Sequence, residues 1–106
     1  MRVHRTHHVD RFPPDPEQVA IASYVYDLFR FSEGDLTLVG RSYASQPDEA
    51  HFLRREVGSS HFGLTAQDTQ NPLFAAAVEY FRSVGMVRVE WLNVEGEGYE
   101  PVPIET

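Results

Sequence analysis

The chain has 106 residues, of which 42% are hydrophobic, which is enough to bury one core and too much for a disordered chain. It contains no cysteine, which excludes disulfide bonds, thiol catalysis and thiolate metal sites. The formal net charge of −7 argues against nucleic acid and anionic membranes as partners, because binding to phosphates needs basic patches. A basic protein partner is compatible with this charge.

The first residues predict an extended segment ahead of the main domain. Residues 1–15 are expected to be an N-terminal arm or edge strand followed by a proline-rich connector, because three prolines between Pro13 and Pro16 prevent regular structure. Residues 16–106 are predicted to form a single α+β domain. No apolar run approaches the roughly 20 residues that cross a bilayer, and the start lacks the apolar stretch of a signal peptide, so we expect a cytoplasmic protein.

Histidines near the N-terminus are the weak candidates for a metal site. His4 and His8 have the spacing of two ligands on one helix turn, but no capping residue precedes them and valines flank them. In a strand the two residues would lie about 13 Å apart and could not share one ion. We therefore predict neither a metal site nor a cofactor.

The segment after the prolines carries two conflicting signals. Asp15–Gln18 has the capping acid, the early proline and the glutamine of a helix start, which leaves one helical turn over residues 16–20 open. Residues 23–31 are instead rich in aromatic and β-branched types, and a glycine-containing loop separates them from a similar run over residues 36–43. We predict a β-hairpin.

A short helix is predicted over residues 46–57. Ser45 lies three residues before Asp48 with a proline between them, as in a capped helix N-terminus. Apolar residues then follow at helical spacing. They are Ala50, Leu53 and Val57.

The remaining elements complete the predicted fold. Residues 59–70 are expected to be a loop, and residues 72–84 a strong amphipathic helix between Asn71 and Gly85. Residues 86–94 alternate as a strand, and a glycine-containing turn returns the chain through a proline-containing edge strand. The order (β)-β-β-α-α-β-β predicts an α+β fold, with an antiparallel sheet of four or five strands and two helices packed on one face.

The aromatic residues of the hairpin exceed what one sheet face can bury. Tyr24 and Tyr26 fall on the opposite strand face from Phe29 and Phe31, and an exposed aromatic patch is typical of an interface. We interpret the chain as a non-catalytic protein-interaction domain, either an immunity- or antitoxin-like binder of a basic protein or a homodimeric adaptor. The predicted partner-binding residues are Tyr24, Tyr26, Trp91, Glu95, Glu97 and Tyr99.

A small enzyme or a small-ligand sensor is the alternative interpretation. The sequence contains no nucleophile elbow, phosphate-binding glycine loop or EF-hand, so a catalytic site would have to be assembled by the fold. Its candidate residues are His51, His61 and Asp68, which lie on or beside the long predicted connection between the two helices. In a sensor, the aromatic strand would line the ligand pocket.

Overall fold

Seven strands and one α-helix make up the part of the chain that the computed structural model describes, which is residues 1–12, 22–96 and 98–102. The strands are β1 (Arg2–Phe12), β2 (Ala22–Glu33), β3 (Leu36–Tyr43), β4 (Glu49–Val57), β5 (Ser60–Phe62), β6 (Arg88–Asn93) and β7 (Gly98–Pro101). A 3-10 turn (Asp68–Gln70) precedes the helix α1 (Pro72–Ser83). The predicted proline connector and the helical turn over residues 16–20 lie outside the described residues.

All seven strands belong to one mixed sheet. Their order is β1-β2-β3-β4-β6-β7, and the short β5 pairs with the far end of β4. The neighbouring strands are antiparallel except for β4 and β6, which are parallel because the chain crosses over between them through α1. The predicted antiparallel sheet of four or five strands under two helices is therefore wrong, since the described residues form seven strands and one α-helix.

The shorter of the two predicted helices, over residues 46–57, is instead the central strand β4 (Glu49–Val57). The register between β3 and β4 shifts between Val39 and Gly40, so Leu53 is an extra residue in β4 and forms a β-bulge. This extra residue interrupts the alternation of the strand and gives its apolar residues a spacing that imitates a helix. The apparent capping segment forms turns instead, in which the amide of Glu49 donates to the carbonyl of Gln46 at 3.1 Å.

The predicted elements whose sequence contains its own start, periodicity and end signals are confirmed. These are the hairpin of β2 and β3, helix α1, and the strand β6 with its return through β7. Helix α1 begins after Asn71, whose side-chain oxygen accepts a hydrogen bond of 2.9 Å from the amide of Leu73. It ends before Gly85, which adopts φ +92°, a left-handed conformation that glycine adopts without strain.

The core lies between α1 and one face of the sheet. The Phe81 ring of α1 is 5.0 Å from the rings of Phe29 and Phe31 and 5.3 Å from that of Phe52, measured between centroids. Gly40 leaves room for this ring, because a Cβ at that position would lie 2.7 Å from Phe81 Cζ. The other core residues are Leu38, Ala50, Leu64, Leu73, Phe74, Ala77, Val78, Met86, Val89, Trp91 and Val102.

Candidate interaction surface

The face of the sheet opposite α1, which we term the open face, is not covered by a helix in the described part of the chain. Strand alternation decides which side chains lie there. Since Phe29 and Gly40 face α1, Tyr24 and Tyr26 of β2 and Arg41 of β3 face away from it. Tyr24 and Tyr26 therefore lie on the open face, on the other side of the sheet from Phe29 and Phe31.

Four tyrosines and one arginine form a connected group on the open face, which we term the tyrosine–arginine strip. The Tyr43 ring lies 6.5 Å from that of Tyr24 and 6.1 Å from that of Tyr26, in tilted or edge-on arrangements. Arg41 Cζ lies 4.8 Å from the centre of the Tyr43 ring, as in a cation–π pair. Arg41 Nη2 donates to the Tyr99 hydroxyl at 3.4 Å, so the strip crosses from β2 to β7.

Two histidines also contact the tyrosine–arginine strip, one from β1 and one from β4. His8 of β1 stacks on Tyr26 with ring centroids 5.2 Å apart, and His51 of β4 lies 4.5 Å from the ring of Tyr99. Tyr24 and Tyr99 have 53% and 41% of their surface exposed, respectively. The strip therefore combines aromatic area that is available for contact with rings that their neighbours hold in place.

Tyr26 is tied to β1 through its hydroxyl, which donates to Asp10 Oδ2 at 2.8 Å. This hydrogen bond raises the pKa of Tyr26 above its usual value, burial and the negative charge of Asp10 act in the same direction, and Arg41 opposes them. The hydroxyl is therefore a donor at physiological pH. Beside it lies a cleft of about 260 Å³, and its lining residues are Asp10, Tyr24, Tyr26, Arg41 and Tyr43.

Arg41 differs from Arg30, Arg54 and Arg88 of the open face, each of which has a carboxylate beside it. Arg30 and Arg54 lie 3.7 and 3.4 Å from the carboxylate of Glu56, and Arg88 lies 2.7 Å from that of Glu49. Arg41 forms no ion pair with any described residue, and its buried Nε has no hydrogen-bond partner among them. Arg41 was not among the contact residues predicted from the sequence.

The remaining predicted contact residues are not all at the surface. Trp91 is only 3% exposed, because it shares the α1 side of β6 with Val89 and packs in the core, so it does not belong to the open face. Glu95 is exposed in the turn after β6, where its amide donates to Asn93 Oδ1 at 3.0 Å. Glu97 lies outside the described residues.

The candidate catalytic histidines are far apart. His51 lies near the start of β4, whereas His61 of β5 pairs with Glu56, five residues further along β4. This spacing corresponds to about 16 Å along the strand. His61 Nε2 instead lies 3.2 Å from Glu56 Oε2.

Asp68 lies on the other side of the sheet from His61. It accepts a hydrogen bond of 2.8 Å from the amide of Thr65, and its Oδ1 lies 3.3 Å from Arg55 Nε. Arg55 pairs with the core residue Leu38 and so faces α1. The structure therefore does not bring His51, His61 and Asp68 into one site, and catalytic partners must come within hydrogen-bond reach.

His4 and His8, the weak candidates for metal ligands, lie on strand β1. His8 Nε2 lies 2.7 Å from the hydroxyl of Thr6, and His4 is exposed. Across the described residues, no group of three or more histidine, cysteine, aspartate or glutamate side chains is placed to hold a metal ion.

A second polar cluster, on the α1 side of the sheet, was not predicted. Asp27 accepts from Arg5 Nε at 2.6 Å and contacts His7 Nδ1 at 2.7 Å, which ties β1 to β2. Burial raises the pKa of Asp27, but the hydrogen bonds from His7 and Arg5 outweigh it and hold the pKa below its usual value. An acid on the same strand face as Phe29 was the sequence signal for this cluster.

No protein-family model, curated protein or solved structure matches the chain. Within the described residues, no helix has the length and apolar character needed to cross a membrane. The function is therefore inferred from the side chains of the open face.

Proposed function

We propose that this chain is a protein-interaction domain that binds its partner through the tyrosine–arginine strip. The observation that carries this proposal is the continuous set of contacts from Tyr24 through Tyr43 and Arg41 to Tyr99 on a face without a covering helix in the described residues. Tyrosine and arginine are among the side chains that most often dominate binding energy at protein interfaces. Strands hold such side chains more rigidly than loops do, which reduces the entropy lost on binding.

A basic protein is the partner that this chain would attract. The net charge of −7 favours approach of positive surfaces, and Glu95 and Glu100 are exposed on the same hairpin as Tyr99. An immunity- or antitoxin-like role is one form of this proposal, and a homodimeric adaptor is the other. The cytoplasm remains the compartment predicted from the sequence.

A quantitative pull-down with matched variants tests the proposal. The wild-type chain, the Tyr24→Ser/Tyr99→Ser variant and the Val57→Ser/Val87→Ser variant serve as baits, and sedimentation equilibrium measures self-association of each. Val57 and Val87 are exposed, at 39% and 65%, but lie outside the strip. We expect the tyrosine variant to recover at least about tenfold less partner, or to form at least about tenfold less dimer, than the wild type. This loss corresponds to two weak interface contacts. The valine control should behave like the wild type.

Two results would contradict the proposed function. The first is a wild-type chain that is monomeric at all concentrations and recovers no protein above a bait-free column. The second is equal recovery by the wild-type and tyrosine-variant baits, which would place the interface elsewhere. Circular dichroism of each bait confirms that the substitutions leave the fold intact.

A further inference from the structure

The geometry points to Arg41 as the anchor for a single carboxylate of the protein partner, an aspartate or glutamate side chain that enters the cleft between Asp10 and Tyr43. This inference rests on the proposed function and adds the chemistry of the contact at the centre of the strip. The proposed partner is basic, because the net charge of −7 favours positive surfaces, so the anchor would be one acidic residue among basic neighbours.

The unused hydrogen-bonding capacity of Arg41 is the main observation. Buried donors nearly always have an acceptor, because a donor that has lost water without gaining a partner is destabilising. Arg41 Nε is buried and lacks an acceptor among the described residues, whereas Arg30, Arg54 and Arg88 each lie beside a glutamate. A planar guanidinium binds a carboxylate through two parallel N–H groups, which is the partner that Arg41 lacks.

The guanidinium is held weakly enough to turn towards a ligand. Among the described residues it makes one hydrogen bond, of 3.4 Å to the Tyr99 hydroxyl, and one cation–π contact, with the Tyr43 ring. Rotation of the side chain into the cleft therefore breaks no ion pair with a described residue.

The second wall of the cleft selects the charge of the ligand. Asp10 lines the same cleft of about 260 Å³, and its carboxylate already accepts from the hydroxyl of Tyr26. A like charge on this wall disfavours a doubly charged phosphate more than a singly charged carboxylate. The three tyrosines that line the cleft provide apolar ring surface for the stem of the acidic side chain.

Nuclear magnetic resonance of the Arg41 Nε–Hε group measures this interaction directly. Sodium benzoate, a carboxylate on a ring that can stack on tyrosine, is titrated into the ¹⁵N-labelled chain at constant ionic strength. The Arg41 signal is assigned by its loss in the Arg41→Lys variant. We expect a saturable shift of this signal with benzoate, and affinity that is about ten- to a hundredfold weaker for the neutral analogue benzamide.

Matched variants and ligands decide the outcome. Arg41→Lys retains the charge but removes the N–H pair, so benzoate binding should fall, whereas Arg82→Gln on α1 should leave it unchanged. Equal shifts with benzoate and benzamide would overturn the inference. So would preferential binding of benzylammonium, which would make the cleft a cation site, or of inorganic phosphate.

The same baits separate this inference from the proposed function. If Arg41→Lys retains the partner while Tyr24→Ser/Tyr99→Ser loses it, the strip is an interface but the carboxylate anchor is wrong. If benzoate binds at Arg41 while the tyrosine variant still captures the partner, the proposed function is wrong and the cleft is a carboxylate site of another kind.

Discussion

Replacement of Gly40 by alanine tests how closely α1 packs on the sheet. The added Cβ would lie 2.7 Å from Cζ and 3.1 Å from Cε2 of Phe81. The Phe81 ring has little room to move away, because it is fully buried between the rings of Phe29, Phe31 and Phe52. Overpacking of this kind costs about 1–3 kcal/mol, while the lower chain entropy of unfolded alanine recovers about 0.4–1 kcal/mol.

We therefore expect Gly40→Ala to lower the free energy of unfolding by about 1–2 kcal/mol. Chemical denaturation measures this value, and Tm should fall by about 4–8 °C for each kcal/mol in a domain of this size. Gly98→Ala is the control, because a Cβ there would meet no atom within 4 Å and the residue does not have a positive φ. This control should leave stability unchanged or raise it.

A second substitution distinguishes steric overlap from a general effect of glycine. In the Gly40→Ala background, Phe81→Leu removes the clashing ring edge, so the double variant should be more stable than the sum of the two single effects predicts. Equal effects of Gly40→Ala and Gly98→Ala, or strict additivity with Phe81→Leu, would refute the packing described for α1.

Three further predictions concern the polar cluster around Asp27, the N-terminus of α1 and Trp91. Because the net effect of its surroundings is a lowered pKa, ionised Asp27 stabilises the fold above about pH 4 and this stabilisation disappears as the pH falls through the lowered pKa. Urea titrations should show that Asp27→Asn is less stable than the wild type by about 0.2–1 kcal/mol near neutral pH and equally stable in strong acid. A difference in the free energy of unfolding that does not change with pH would contradict this. Asn71→Ala should cost about 1 kcal/mol in the same assay, whereas Asn71→Ser should retain most of the stability because it keeps a capping oxygen. The single tryptophan, Trp91, should resist acrylamide quenching until the chain unfolds, and efficient quenching of the native state would show that it is not buried.

Local sequence signals were sufficient to predict an element where its own residues specify its start, its periodicity and its end. The hairpin of β2 and β3 has two alternating runs around a turn at Gly34, whose φ is +61°. Helix α1 has a capping Asn71, a proline in its first turn and Gly85 after its last. In these segments the local preference and the final fold agree, so the sequence alone predicts them.

Strand β4 was mispredicted because its structure depends on distant strands. Its partners are β3, which it meets in the antiparallel sense, and β6, which it meets in the parallel sense after the crossover through α1. The bulge at Leu53 belongs to the pairing of β4 with β3, and nothing within residues 46–57 specifies it. Tertiary pairing thus overrides a segment whose capping and apolar spacing favour a helix.

Only part of the candidate surface could be predicted from local sequence patterns. Alternation along β2 places Tyr24 and Tyr26 on the opposite face from Phe29 and Phe31, and the face with the phenylalanines is the buried one. For Trp91, alternation does not tell whether its side of β6 is covered, and the structure places it under α1. The contacts of Arg41 with Tyr43 and Tyr99 depend on the order of the strands, which no local pattern contains.

The dimensions of α1 explain why the sheet retains an open face. Twelve residues of helix extend about 18 Å, whereas the twelve residues of β2 extend about 40 Å, so one helix cannot cover even one side of the strands. Part of the open face is nevertheless shielded from water. Val39 is fully buried there, although it does not belong to the core beneath α1. Long side chains such as Arg30 and Arg54 can cover it with their apolar stems while their charged groups remain in water. We therefore expect the free chain to fold without a partner, and binding at Tyr24 and Tyr99 to be reversible rather than a condition for folding.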